Sequence, residues 1–250
     1  MEIVFISALG VGFSTIFGSI IGFFLKKPSL RFNNVMTSFA SGVMLSASIW
    51  GLIVPAIEFS RFSFIIVVIG AFIGAICIDL CNKLVPHLHS LTGLDDNSLS
   101  SNENEINKAL LFVIAIAVHN LPEGIATGVS FGTGNVGDAI MVSLSIALQN
   151  IPEGMVIVAP LLSIGISKRR TLAIAFLTGA TEIIGTLVGY LVISFSGFIL
   201  PFALSFAGGS MIYVIVDEMI PEARKGGGKE CSFALLFGFC LMIVISSLLN

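Results

Sequence analysis

The chain reads as an all-α integral membrane protein with eight transmembrane helices and both termini extracytoplasmic. Three observations predict this class. First, 56% of the 250 residues are hydrophobic and only 11% charged, with a mean hydropathy of +1.04, far from the roughly 25% charged residues of a soluble domain. Second, eight apolar runs can be traced at about 3–25, 35–57, 62–82, 109–130, 138–162, 171–194, 198–222 and 231–249, each close to the ~20 residues that a crossing needs. Third, of the 12 basic residues, Arg61 alone falls on one side. Lys26, Lys27, Arg31, Lys83, Lys108, Lys168, Arg169, Arg170, Arg224, Lys225 and Lys229 fall in loops on the other. Cationic loops stay in the cytoplasm, so that side is cytoplasmic and the helix count is even.

The first run carries Glu2 in front and Lys26-Lys27 behind. It is too long for a cleaved signal and lacks the basic leading region of one. The second and third runs follow after short connections, and residues 83–108 form the one long link. That link holds Pro86-His87-Leu88-His89, Asp95-Asp96, Glu103 and Glu105 among Ser, Asn and Gly, the composition of a flexible cytoplasmic loop. The whole of 1–250 is expected to form a single transmembrane domain. A net charge of −3 gives no reason to expect nucleic acid as a partner. Cys77, Cys81, Cys231 and Cys240 form no CxxC pair, which argues against a disulfide framework or a structural zinc knuckle.

The fourth and fifth runs carry the chemistry. His119-Asn120-Leu121-Pro122-Glu123-Gly124 is echoed thirty residues on by Gln149-Asn150-Ile151-Pro152-Glu153-Gly154. Positions one, two and five of each copy lie within roughly a 100° sector of a helix, so His119, Asn120 and Glu123 face one way and Gln149, Asn150 and Glu153 repeat the fan. The prolines displace the carbonyls of Val118 and Leu148 and kink both helices. The glycine after each glutamate admits a neighbouring backbone.

Glu182 lies near the centre of the sixth run, at about the depth of Glu123 and Glu153. Three unpaired carboxylates there would each cost about 2.5–3.5 kcal/mol, so one or two divalent cations are the natural partner. Oxygen donors with a single imidazole suit zinc, iron, manganese or cadmium more evenly than a cysteine site would. The alternative is that these groups are protonated acids and amides that glue helices together by hydrogen bonds.

The seventh and eighth runs complete a repeat. At an offset of 167, Ser38-Phe39-Ala40-Ser41-Gly42-Val43-Met44 matches Ser205-Phe206-Ala207-Gly208-Gly209-Ser210-Met211 at five of seven positions, and Gly12, Gly18 and Gly22 fall on Gly179, Gly185 and Gly189. The paired helices cross in opposite directions, as in the inverted repeats of alternating-access transporters. No match joins the third helix to the eighth. Asp79, Asp217, Glu218 and Glu222 cluster at the cytoplasmic ends of the third and seventh helices, with Pro221 behind the middle pair. Glu58 and Asp138 lie on the outer side.

The paired hexapeptides, Glu182, and Asp217-Glu218-Met219-Ile220-Pro221-Glu222-Ala223 together resemble the ZIP family of divalent metal transporters in its compact prokaryotic form, over all eight helices. That resemblance implies a 3+2+3 arrangement, in which the first three and last three helices are related by pseudo-symmetry and embrace the fourth and fifth. It also implies a binuclear metal centre: His119, Glu123, Gln149 and Glu153 around one ion, Asn120, Asn150 and Glu182 completing the second, and Asp217 and Glu218 as release-side ligands. The cargo implied is Zn2+ or a related divalent cation, carried across the cell membrane into the cytoplasm, with no resident cofactor. Gln149 stands where many members carry histidine, and the long loop has only His87 and His89 instead of a histidine run. A homodimer is compatible with all of this.

Two rivals are weaker. An intramembrane metalloprotease needs a second histidine where Glu123 stands, so no enzyme is expected. An organic-cation transporter would want an aromatic cage instead of amides.

Overall fold

The computed structural model describes residues 1–25, 29–60, 64–84, 118–163, 165–195, 197–225 and 227–249, and every regular element among them is helical. We number the long helices α1 (Glu2–Phe24), α2 (Leu30–Phe59), α3 (Phe64–Leu84), α4 (118–130), α5 (Val136–Ser163), α6 (Lys168–Phe195), α7 (Leu200–Arg224) and α8 (Lys229–Leu249). All except α4 are described over a length, and with an apolarity, sufficient to cross a bilayer. The long link with His87 and His89 lies outside the described residues.

Several helices run past their apolar segments. The charges that end an apolar run sit comfortably in the first and last turns at the membrane surface, so α2 begins at Leu30, where the Ser29 hydroxyl caps Phe32 N–H at 3.1 Å. Between α4 and α5 the chain makes one tight turn at Phe131–Thr133 and reverses at Gly134, whose φ of 76° only glycine adopts without strain. Asn135 then accepts from Gly137 N–H at 2.9 Å and starts α5.

Helix α1 packs on α5 and α6, α3 on α7, and α8 on α2, while α4 lies against α6 through Gly124 and Gly128. The core joins Met44 and Leu52 of α2, Ala126 and Val129 of α4, Val142 and Ile146 of α5, and Leu204, Ala207 and Met211 of α7. Helices α3 and α8 stand outside, with residues such as Phe72, Ile76, Phe233 and Phe237 exposed, as a lipid-facing surface requires.

The inverted repeat is visible in the contacts themselves. Gly12 and Gly179, equivalent at the offset of 167, meet backbone to backbone, so the pseudo-two-fold axis passes between them. Gly18 faces the backbone of Ile151 while Gly185 faces that of Leu121, and Gly22 faces Met155 while Gly189 faces Ile125. Gly154 meets the Thr15 carbonyl while Gly124 meets that of Glu182. Each contact maps onto its partner when α1 exchanges with α6 and α5 with α4.

The third and eighth helices also belong to the repeat, at an offset of 164: Gly74 meets the Phe206 carbonyl and Gly238 that of Phe39, while Ala71 meets Gly209 and Leu235 meets Gly42. Helices that face lipid retain few constrained positions, so the sequence shows no match there.

A similar feature recurs in α2 and α7, one residue out of the 167 register. Val54 N–H donates to Ile49 O and Ile220 N–H to Ile215 O, the i to i−5 pattern of a widened turn. Pro55 and Pro221 follow immediately. A proline ring clashes with the carbonyl four residues back, here that of Gly51 or Asp217, and widening the turn relieves the clash. Asp217 and Glu218 therefore stand on a widened turn of α7.

Candidate metal centre

Gln149 and Asn150 lie at the midpoint of α5 and Glu182 at that of α6. Each hexapeptide is helical through its proline, and the glycine contacts press α4 against α6 and α5 against α1. This brings both polar fans into the seam between the repeats.

Glu123, Asn120, Gln149, Asn150 and Glu182 are all buried. Gln149 Nε2 donates to Glu123 Oε1 at 2.6 Å, Asn150 Nδ2 to Glu182 Oε2 at 2.7 Å, and Asn120 Nδ2 to Glu182 Oε1. The two asparagines also reach symmetry-equivalent carbonyls, Asn150 that of Val11 at 3.3 Å and Asn120 that of Thr178 at 3.5 Å. Glu153 is half-buried, close enough to Glu123, Glu182 and His119 for their charges to act on one another. Glu123 of α4 and Glu182 of α6 thus meet the adjacent α5 amides Gln149 and Asn150.

The network is not closed. Among the described residues, four buried side-chain atoms lack a hydrogen-bond partner, and three of them are Glu123 Oε2, Gln149 Oε1 and Asn150 Oδ1. All three are oxygen acceptors, and an orphaned buried polar atom ordinarily costs about 1–3 kcal/mol. The cluster thus keeps three acceptors open to a further partner. Among the described residues no three His, Cys, Asp or Glu side chains group as a metal cage by themselves; the amides are interleaved with the acids.

His119 is turned along α4 to Glu218. Its Nε2 lies 3.0 and 3.1 Å from the two Glu218 oxygens, and Asn82 Nδ2 of α3 donates to the same carboxylate. Glu218 is thereby paired with the first residue of the α4 motif, while its neighbour Asp217 is exposed. Asp79 is occupied by Lys83 at 2.6 Å and by the Tyr213 hydroxyl at 3.0 Å. Cys77, Cys81, Cys231 and Cys240 are all free.

Sequence reasoning missed two contributors, Thr15 and Asn82. Thr15 Oγ1 donates to Glu182 Oε1 at 3.1 Å across 167 residues. The repeat offset itself could have pointed to Thr15, since it is the α1 counterpart of Glu182. Nothing comparable marks Asn82.

A bundle of apolar helices built from two inverted repeats, with carboxylates and amides buried where the repeats meet, defines a multi-pass membrane transporter. The model of the ZIP zinc transporter family matches residues 87–246. The zinc transporter GufA of Myxococcus xanthus is 37% identical over 204 residues, 78% of this chain and 79% of its own length. The zinc transporter ZupT of Chlorobaculum parvum is 34% identical over 252 residues, 95% and 94% of the two chains, and the zinc transporter ZIPB of Bordetella bronchiseptica is 32% identical over 255 residues, 95% and 78%. The chain belongs to the ZIP family. It is a metal-ion transporter of the cell membrane and not an enzyme, and the protease and organic-cation readings fall with that assignment.

Proposed function

We propose that the chain carries zinc, and with it cadmium, iron(II) and manganese, into the cytoplasm through a binuclear centre at mid-depth. His119, Glu123, Gln149 and Glu153 hold one ion; Asn120, Asn150 and Glu182 complete the second, with the motif glutamates bridging. Asp217 and Glu218 receive the departing ion, Glu218 being paired with His119. The observation that carries this reading is the set of bare oxygens, Glu123 Oε2, Gln149 Oε1 and Asn150 Oδ1, buried in the cluster that also holds Glu182.

Hard and borderline divalent cations seek such oxygen donors. The basic loops orient the protein with Lys83, Arg224 and Lys225 in the cytoplasm, and a potential negative inside then favours inward movement of two charges by about 4.6 kcal/mol per 100 mV. ATP is not required.

The test is reconstitution into liposomes loaded with a metal-sensitive dye and challenged with zinc, cadmium, iron(II) and manganese at two lumenal pH values. Zinc uptake driven by an inward-negative potential is expected. Failure of all four ions to enter above empty liposomes rejects the reading.

Selectivity follows from the donor set. Gln149→His exchanges a neutral amide oxygen for an imidazole nitrogen, which zinc prefers far more than manganese does. The zinc-to-manganese ratio of uptake efficiencies is expected to rise about tenfold, equivalent to ~1.4 kcal/mol. An unchanged ratio in competition assays would place Gln149 outside the ligand shell.

A further inference from the structure

Among the described residues, Glu182 is a carboxylate held from three other helices at once. Its Oε1 accepts from Thr15 of α1 at 3.1 Å and from Asn120 of α4, and its Oε2 accepts from Asn150 of α5 at 2.7 Å. Two of those three donors are amides, whose oxygens the reading above commits to the ions. An asparagine that presents its oxygen to a cation while its N–H2 group stays on Glu182 has its orientation set by two partners at once, because both atoms are fixed on one planar group. The Thr15 hydroxyl has no such second task.

Thr15 is also wholly buried, at 1% exposure, and its place is fixed by backbone. Gly154 admits the Thr15 carbonyl with no room for a side chain between them, and Gly12, one turn earlier, meets Gly179. Under the repeat Thr15 occupies the position of Glu182, so α1 offers a hydroxyl where α6 offers a carboxylate. The inequivalence leaves the centre with three carboxylates instead of four and gives the one on the axis a neutral donor from the opposite repeat.

We infer that Thr15 is a positioning residue for metal binding: its hydroxyl fixes Glu182 Oε1 and so holds the carboxylate in register with the cation that the asparagine oxygens help to bind. The inference rests on reading the central cluster as the cation site. Removing the hydroxyl frees the Glu182 side chain to rotate, which weakens binding of the ion in its resting and moving states alike. The signature is therefore a raised half-saturation concentration with a preserved maximal rate.

The experiment compares Thr15→Ala and Thr15→Ser in the full reconstituted chain, measuring initial zinc uptake against zinc concentration, with Glu123→Gln run in parallel. Thr15→Ala is expected to raise the half-saturating zinc concentration about fivefold or more with a maximal rate within about twofold of the parent. Thr15→Ser keeps the donor and is expected to match the parent. An alanine variant with parental half-saturation overturns the inference. So does a serine variant as impaired as alanine, or a loss of maximal rate alone in both, which marks a packing role. Normal Thr15→Ala kinetics beside an inactive Glu123→Gln would overturn the role of Thr15 and leave the cation site standing. A Glu123→Gln variant that transports like the parent would remove the cation site, and this inference with it.

Discussion

Glu123→Gln is expected to cut zinc uptake by about a hundredfold, equivalent to ~2.7 kcal/mol, while making the metal-free protein more resistant to heat. The two effects share one cause. Glu123 is 2% exposed, with Oε1 held by Gln149 and Oε2 bare. An ionised carboxylate so placed opposes folding, since its desolvation is offset by one amide hydrogen bond. The glutamine keeps the side-chain volume and the acceptor for Gln149 Nε2 but removes the charge that a divalent ion neutralises. Stability gained at the expense of activity is the usual mark of a group retained for function. In detergent without metal, the melting temperature is expected to rise by roughly 2–4 °C per kcal/mol recovered. Added zinc should stabilise the parent protein much more than the variant, as mass action requires of a ligand that binds only the folded state. Parental uptake by Glu123→Gln would show that the ion path avoids this carboxylate.

Helix number was legible because each crossing needs its own apolar run, and α1, α5, α6 and α7 follow theirs closely. The offset of 167 was legible because backbone contacts at Gly12, Gly18, Gly22 and their equivalents exclude every larger side chain, leaving glycine as a fixed mark. Helices α3 and α8 carry a different offset, and much of their surface meets lipid, which accepts any apolar residue. Gly74 and Gly238 were too few to show a repeat. The buried polar cluster was legible from the doubling of its motif, since Asn120, Glu123, Asn150 and Glu153 recur at one spacing in neighbouring helices. Thr15 and Asn82 escaped because a lone hydroxyl or amide gains meaning only from its partner. Those partners, Glu182 and Glu218, are 167 and 136 residues away. The turn of His119 to Glu218 depends on a rotamer, which helical spacing does not specify.

Gly12→Ala is expected to damage stability and transport together, whereas Gly10→Ala, two residues away, is expected to do neither. A methyl group at Gly12 would lie 2.5 Å from the Gly179 carbonyl oxygen, and one at Gly179 would lie 2.1 Å from that of Gly12. Both obstacles are backbone, so no rotamer change relieves the overlap and α1 must move away from α6. Overpacking of this kind costs about 1–3 kcal/mol. Three residues beyond each glycine stand Thr15 and Glu182, whose 3.1 Å hydrogen bond spans the same crossing. Helices spread by even ~0.5 Å would lengthen that bond beyond useful reach and loosen Glu182 in the centre. Nothing lies within 4 Å of a methyl group added at Gly10, so alanine there gains helix propensity at no steric cost. Gly12→Ala and Gly179→Ala act on one contact from its two sides. The double variant should therefore lose less than the sum of the single losses, which a double-mutant cycle on thermal unfolding and zinc uptake measures. If Gly12→Ala melts and transports like Gly10→Ala, the repeats do not meet at this crossing, and the placement of Thr15 beside Glu182 loses its structural basis.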